Sequence, residues 1–197
     1  MITPSLPDTA PFTPEQRGWL NGFLAGLSAS TGSGSAAPAS TAPEVASGVP
    51  ITVLWGSQTG NSEGLAKKTK KALTAAGHTV TVHDLADYPT DQLASEENLI
   101  IITSTYGDGE PPDNAMEFHE FLLSDAAPKL EKTRFSIFAL GDSEYPDFCE
   151  CGKQFDERLT ALGGERLLPR VDCDIDFDDP FAQWQKDLTE SLSKIAV

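Results

Sequence analysis

From residue 51 onward the chain alternates short apolar runs with longer amphipathic segments, and this rhythm restricts the fold more than any other feature. Residues 51–55 form a compact β-prone run, 99–103 and 135–140 are apolar throughout, and 79–83 alternates with period two. Residues 166–168 suit a short fifth strand. Between these runs, 63–76 reads as a helix with Lys67, Lys68, Lys70 and Lys71 outward and Gly77 closing it. Residues 114–123 offer Met116, Phe118, Phe121 and Leu122 for packing. Residues 151–162 run helically up to Gly163 and Gly164, and 181–195 form a closing helix. Apolar strands without alternation are buried on both faces, and strands separated by helices pair in parallel through crossovers. The expectation is an α/β fold, a doubly wound five-stranded parallel sheet with helices on both faces.

The alternation stops upstream of residue 51. Residues 28–50 are almost wholly Ser, Ala, Gly, Thr and Pro, the composition of a disordered linker with a reach of about 25–30 Å. Before it, Thr13 can cap a helix, Pro14 suits the first helical position and Gln16 completes a capping box. Trp19, Leu20, Phe23, Leu24 and Leu27 then share one face. Such a segment folds back on the domain, docks another subunit, or stays a frayed tail, and the pattern leaves all three open. The expected organisation is an N-terminal interaction helix segment in 1–27, a linker in 28–50 and the α/β domain in 51–197. No basic n-region opens the chain, and no apolar run approaches the roughly 20 residues of a spanning helix. Three cysteines without framework spacing fit a cytoplasmic setting.

Three loops follow expected strands and so share the carboxyl edge of the sheet, where ligands of open α/β sheets bind. The first, Ser57, Gln58, Thr59, Gly60, Asn61 and Ser62, brings hydroxyls, an amide and free backbone N–H groups to a helix N-terminus. Alone it reads as an anion site or as an ordinary strand–helix turn. It has no basic residue and is not a Walker loop, so a phosphate held there would belong to a resident phosphomonoester rather than a nucleoside triphosphate. The second loop, Ser104, Thr105, Tyr106 and Gly107 onward to Pro112, puts an aromatic at its tip. The third, Leu140, Gly141, Asp142, Ser143, Glu144, Tyr145, Pro146, Asp147, Phe148 and Cys149, presents another. Each of these two could be a plain surface loop when taken singly. Together the three describe a ligand with a phosphate at one end and a flat ring at the other.

The runs SQTGNS, STYGDGEPP and LGDSEYPDFC resemble the FMN-binding segments of the flavodoxin-like domain in diflavin reductases. Residues 148–168, the run APKL at 127–130 and the Thr13 to Gln16 cap are similar, more narrowly, to the flavoprotein (alpha) component of bacterial NADPH-sulfite reductases. The resemblance implies strand order 2-1-3-4-5 with FMN in the crevice where the winding reverses, an arrangement of which flavodoxin is itself the standard instance. It implies that residues 57 to 62 hold the phosphate. Ser104 to Gly107 would line the isoalloxazine, with Tyr106 on one side and a backbone group near Gly107 answering N5. Leu140 to Cys149 would cover the other side, with Tyr145 stacked on the ring. It also implies an oxidoreductase component whose FMN takes electrons from reduced FAD and passes them singly to a haem and iron–sulfur sulfite reductase subunit. FAD and NADPH are expected on a reductase module, in cis or in trans, because these 197 residues hold neither an Arg-x-Tyr-Ser motif nor a second Gly-rich nucleotide fingerprint. This chain alone should not turn over NADPH. The alternatives are a freestanding flavodoxin carrier, which needs neither linker nor capped helix, the FMN domain of another diflavin reductase, and a non-redox binding module with a vacant crevice.

Charge bears on partners. Acids outnumber bases 30 to 14, a net charge of −16, whereas a binder of nucleic acid or of an anionic membrane needs the opposite sign. Six acids and no base lie in 104–125, and four acids and no base in 141–150. These clusters sit on the ring-binding loops and form either a general solubility coat or a rim that steers a basic partner. Asp172, Asp174, Asp176, Asp178 and Asp179 make a third cluster, which lacks the Gly and terminal Glu of an EF-hand. It is read as solvated or as part of the docking face. Cys149 and Cys151 alone do not close a zinc site, so no metal is expected. No side chain is assigned a catalytic role, and His78, His83 and His119 are read as structural or surface groups.

Overall fold

A computed structural model of the protein describes Thr13 and residues 48–195. Apart from Thr13, the helix and linker expected upstream lie outside the described residues. The elements are β1 (Pro50–Gly56), α1 (Asn61–Ala75), β2 (Thr79–Asp84), β3 (Asn98–Ser104), α2 (Met116–Leu123), β4 (Arg134–Leu140), α3 (Glu150–Ala161), β5 (Glu165–Arg166), β6 (Val171–Cys173) and α4 (Asp178–Ile195). Short 3₁₀ turns occupy Leu85–Asp87, Thr90–Ser95 and Asp113–Ala115. The sheet order is β2-β1-β3-β4-β5, with β6 also paired to β4, and every pairing is parallel. This is the doubly wound order that the family resemblance implied.

Side-chain alternation along each strand divides the core in two. Leu99 and Ile101 of β3 join Phe135 and Ile137 of β4 under α2 and α3, which contribute Phe118, Leu122, Phe155 and Leu159. Ile100 and Ile102 join Phe138 and Leu140 on the opposite face, under Leu65 and Leu73 of α1 and Phe181, Trp184 and Leu188 of α4. The one polar atom that Trp184 brings into the core is satisfied, since its Nε1 donates to Ser136 Oγ at 3.0 Å. Helix α3 lies so close to β4 that a Cβ at Gly152 would stand 2.4 Å from that of Ala139. No helix among the described residues is long and apolar enough to cross a membrane.

The fold begins slightly earlier than residue 51. Thr79 N donates to the Val49 carbonyl at 3.2 Å, and Val49 N donates to His78 Nδ1 at 3.3 Å. Burial lowers the His78 pKa, which keeps that nitrogen an acceptor.

The fifth strand departs further from expectation. A strand was expected at 166–168, but β5 ends at Arg166 and the ladder resumes at Val171. Leu167 N still donates to the Phe135 carbonyl at 2.7 Å. The chain then bows away through Pro169, which has no N–H to give. Asp156 of α3, its side chain only 8% exposed, clamps both ends of the bow. It accepts from Arg166 Nε and Nη2, each at 2.8 Å, and from Arg170 Nη1 at 3.0 Å. Arg170 also holds Asp172, through Nε at 2.7 Å and Nη2 at 3.1 Å.

Phe138 packs its ring 5.4 Å from that of Phe181 and 5.1 Å from that of Trp184. Phe138→Ala should lower the unfolding free energy by about 3–5 kcal/mol, read from urea denaturation. A loss below about 1 kcal/mol would contradict the central place given to this ring.

Candidate functional site

The loops after β1, β3 and β4 meet around one cleft of about 670 Å³. Thr59 and Asn61 reach its wall from the first loop, and Ser104, Thr105, Tyr106 and Gly107 from the second. Leu140, Gly141, Asp142, Tyr145, Asp147, Phe148 and Cys149 reach it from the third. Seven residues expected in the site are not on the wall: Ser57, Gln58, Gly60, Ser62, Ser143, Glu144 and Pro146.

Several of those seven shape the loops from behind. Ser57 Oγ accepts from Gly60 N at 2.9 Å and from Ser62 N at 3.3 Å, folding the first loop onto the start of α1. Ser57 N donates to Asn114 Oδ1 at 2.9 Å, and Asn114 Nδ2 donates to Asp84 Oδ1 at 2.8 Å. Gln58 Nε2 donates to Asp113 Oδ2 at 3.0 Å, and Asp113 N donates back to Gln58 Oε1 at 3.2 Å. The turn before α2 therefore braces the first loop. Among the described residues, the N–H groups of Gln58 and Thr59 have no acceptor. The hydroxyls of Ser62 and Ser104 are buried and equally unpartnered there. Donors left unmet beside a helix N-terminus suit an anionic, oxygen-rich ligand.

In the second loop, Tyr106 N donates to the Glu110 carbonyl at 2.9 Å and Glu110 N returns to the Tyr106 carbonyl at 2.8 Å. This tight hairpin turns on Gly107 and Gly109, with φ of 54° and 99°. A Cβ on Gly109 would stand 2.9 Å from that of Asp147, so the second and third loops touch. Thr105 N also donates to the Leu140 carbonyl at 3.0 Å, and Cys151 N donates to Thr105 Oγ1 at 3.2 Å. Tyr106 is 54% exposed and Tyr145 57% exposed. Each leaves a ring available to a flat ligand.

Cys149 is the only described non-glycine residue with positive φ, at 56°. Burial pushes its thiol pKa, and that of Cys151, up to about 12. Neither is a reactive thiolate near neutrality. Among the described residues, no group of three or more His, Cys, Asp or Glu side chains could hold a metal ion. His119 Nε2 is paired with Gln154 Oε1 at 2.6 Å, and His83 packs edge-on to Tyr88.

Four wall residues were not foreseen: Asp108, Asp174, Ile175 and Phe177. The last three follow β6 and form a fourth loop. Asp174 ties it to the third loop, accepting from the N–H of Ser143 at 3.2 Å and from the Ser143 hydroxyl. Those bonds hold the Asp174 carboxyl below its ordinary pKa. The available signal was the Asp-rich run itself. Placing the fifth strand at 171–173 would have put that run on the ligand-binding edge.

The Flavodoxin family matches residues 53–184. The chain is 49% identical over 186 residues to the sulfite reductase [NADPH] flavoprotein alpha-component of Bacillus subtilis (strain 168), covering 92% of this chain and 31% of that protein. It is 42% identical over 193 residues to the same-named component of Salmonella typhi, covering 96% and 32%. It thus spans about three-tenths of the length of these curated relatives. Among solved structures it resembles the flavodoxin of Streptococcus pneumonia TIGR4, with TM-score 0.67 and 27% identity over 74% of this chain and 99% of that one. A Pseudomonas aeruginosa flavodoxin gives TM-score 0.64 and 27% identity over 73% and 98%.

The buried thiols have a measurable consequence. Folded Cys151 keeps its proton up to about pH 12, whereas the unfolded thiol ionises near 9.0. The contribution to stability is full below the unfolded value and is lost as pH rises from about 9 toward 12. Urea unfolding at about pH 8 and about pH 10.5 should show this loss, and it should be smaller in Cys151→Ala. Identical losses in both proteins would rule Cys151 out as its source.

Proposed function

Because the chain belongs to the flavodoxin family, we propose that its cleft takes flavin mononucleotide and that it acts as the FMN-binding electron-transfer domain of an NADPH-dependent sulfite reductase flavoprotein. The observation that carries this reading is a single cleft with unmet neutral donors at one end and two half-open tyrosines at its mouth. Its volume lies within the roughly 300–1,000 Å³ usual for small-molecule sites. Residues 57 to 62 hold the phosphate, with Thr59 and Asn61 at the wall and Ser57 and Ser62 setting the turn. With no lysine in that loop, affinity rests on converging N–H and O–H dipoles and on the N-terminus of α1. Ser104 to Gly107 and Leu140 to Cys149 enclose the ring, which Tyr106 and Tyr145 shield from water. When bound, the flavin supplies reversible uptake and release of one or two electrons. The protein's part is to bind, orient and shield it, and no side chain is needed as acid, base or nucleophile.

FAD and NADPH belong, in this reading, to a reductase module in cis or in trans. The acceptor is a hemoprotein subunit carrying haem and an iron–sulfur cluster. Asp108, Asp142, Asp147 and Asp174 line the cleft, and Glu144 and Asp176 are exposed on the same loops. This border of acids favours a basic partner surface. A second reading, a freestanding flavodoxin, is favoured by coverage of 99% of the Streptococcus flavodoxin, a whole carrier's worth of chain. The 49% identity to a sulfite reductase component favours the first.

Titration with FMN and with riboflavin tests the phosphate anchor. FMN should bind one to one, and riboflavin about 100-fold more weakly, because two charge-assisted hydrogen bonds are worth roughly 3 kcal/mol. Equal affinities would refute the anchor, and uptake of neither would refute the flavin site. Electron transfer from the flavin-loaded, reduced chain to a basic haem protein should slow by about tenfold between low and roughly 0.5 M ionic strength. A flat profile would remove the steering role of the acids.

A further inference from the structure

Three of the five exposed large apolar side chains among the described residues, Tyr106, Tyr145 and Ile175, belong to loops of the same cleft. A lone exposed aliphatic side chain needs no explanation, but a group of three around one opening does. The two tyrosines have a use in the proposed flavin site. Ile175 reaches the same wall, but at 69% it is the most exposed of the set, and most of its side chain is left uncovered at the rim.

Its position is fixed by the surrounding backbone. Upstream, β6 pairs with β4, and Gly141 N donates to the Cys173 carbonyl at 2.8 Å. Arg170 ties Asp172 of β6 to the buried Asp156 of α3. Downstream, Phe181 N in the first turn of α4 donates to the Phe177 carbonyl at 2.9 Å. At the tip, Asp174 Oδ1 accepts from Ile175 N at 2.8 Å while the same carboxylate accepts from Ser143. The side chain is thus presented on a preorganised loop, which lowers the ordering cost of binding. Asp174 and Asp176 flank it, and Asp172, Asp178 and Asp179 extend the acidic border. An apolar centre inside a charged rim is the anatomy of a protein-binding hot spot.

We propose that Ile175 is the apolar anchor by which this domain docks a one-electron acceptor protein, entering an apolar recess ringed by Lys and Arg on that partner. The proposal rests on the electron-transfer reading above and adds where, and through which side chain, the acceptor is held. The acids bring the partner in, and the isoleucine sets how long it stays.

The test uses the full chain loaded with FMN and reduced, in stopped flow. Mitochondrial cytochrome c is the basic haem-protein probe, and ferricyanide is a small acceptor that needs no docking. The quantity read is the ratio of the two second-order rate constants. In Ile175→Ala the ratio should fall by about fivefold or more, the scale of losing a hot-spot side chain. Ile175→Leu should restore most of it. The slope of the cytochrome c rate against ionic strength should be unaltered, because no charge has changed. An unchanged ratio in Ile175→Ala, or equal losses with both acceptors, overturns the anchor. A wild-type chain that takes up no flavin overturns the electron-transfer reading and the anchor with it, and is recognised before any variant is compared.

Discussion

Parallel pairing of β1, β3 and β4 is the constraint on which everything else depends. Parallel neighbours cannot be joined by a tight turn, so a crossover must cover one face or the other between successive strands. Both faces of β3 are buried, Leu99 and Ile101 on one side and Ile100 and Ile102 on the other. A slip of one residue would exchange the two sets, so the register is strongly specified. That register brings the strand ends level: Gly56 lies opposite Thr103, Ser104 opposite Leu140, and Leu140 opposite Cys173. Four loops therefore leave the sheet at one height, and the cleft takes its shape from apolar packing well below it.

What was legible in the sequence follows from what that packing requires. The runs at 99–103 and 135–140 announce doubly buried strands, and the loops after them carry recognisable polar and aromatic chemistry. The fifth strand was misplaced because its two segments are two and three residues long, too short to show a period of two. They are held by Asp156, which meets Arg166 and Arg170 from ten and fourteen residues away. No local pattern reveals such a clamp, and with it went Asp174, Ile175 and Phe177. Asn114 reads as the start of a helix, yet its amide serves a loop 57 residues earlier. Ser57 belongs to the foreseen loop, but its hydroxyl is already taken by that loop's own N–H groups.

Charge is arranged along the same axis as the loops. Helix α1 starts at the cleft, and its exposed Lys67, Lys68, Lys70 and Lys71 come about 9–15 Å further along it. Acids gather at the opening, and along α1 Lys67 pairs with Glu63 and Lys68 lies 3.8 Å from Asp178, leaving Lys70 and Lys71 as the more distant positive charges. The domain therefore carries an electrostatic direction as well as a large net charge, and a partner's field orients it as well as attracting it. Near the first loop the positive contribution comes from peptide dipoles rather than from side chains.

The interrupted fifth strand has a consequence for how the molecule behaves among its own copies. A sheet edge of full length presents a row of unpaired N–H and C=O groups, a template on which another chain can grow. Beyond β4 that template lasts two residues, breaks at Pro169, and resumes for three. Glu165, Arg166 and Asp172 further mark it with charge. An incoming strand would lose register at the gap and meet charged side chains on either side of it. On this edge, copies are thus kept from adding to one another strand by strand, and encounters there stay reversible meetings of surfaces rather than seeds of a continuous sheet.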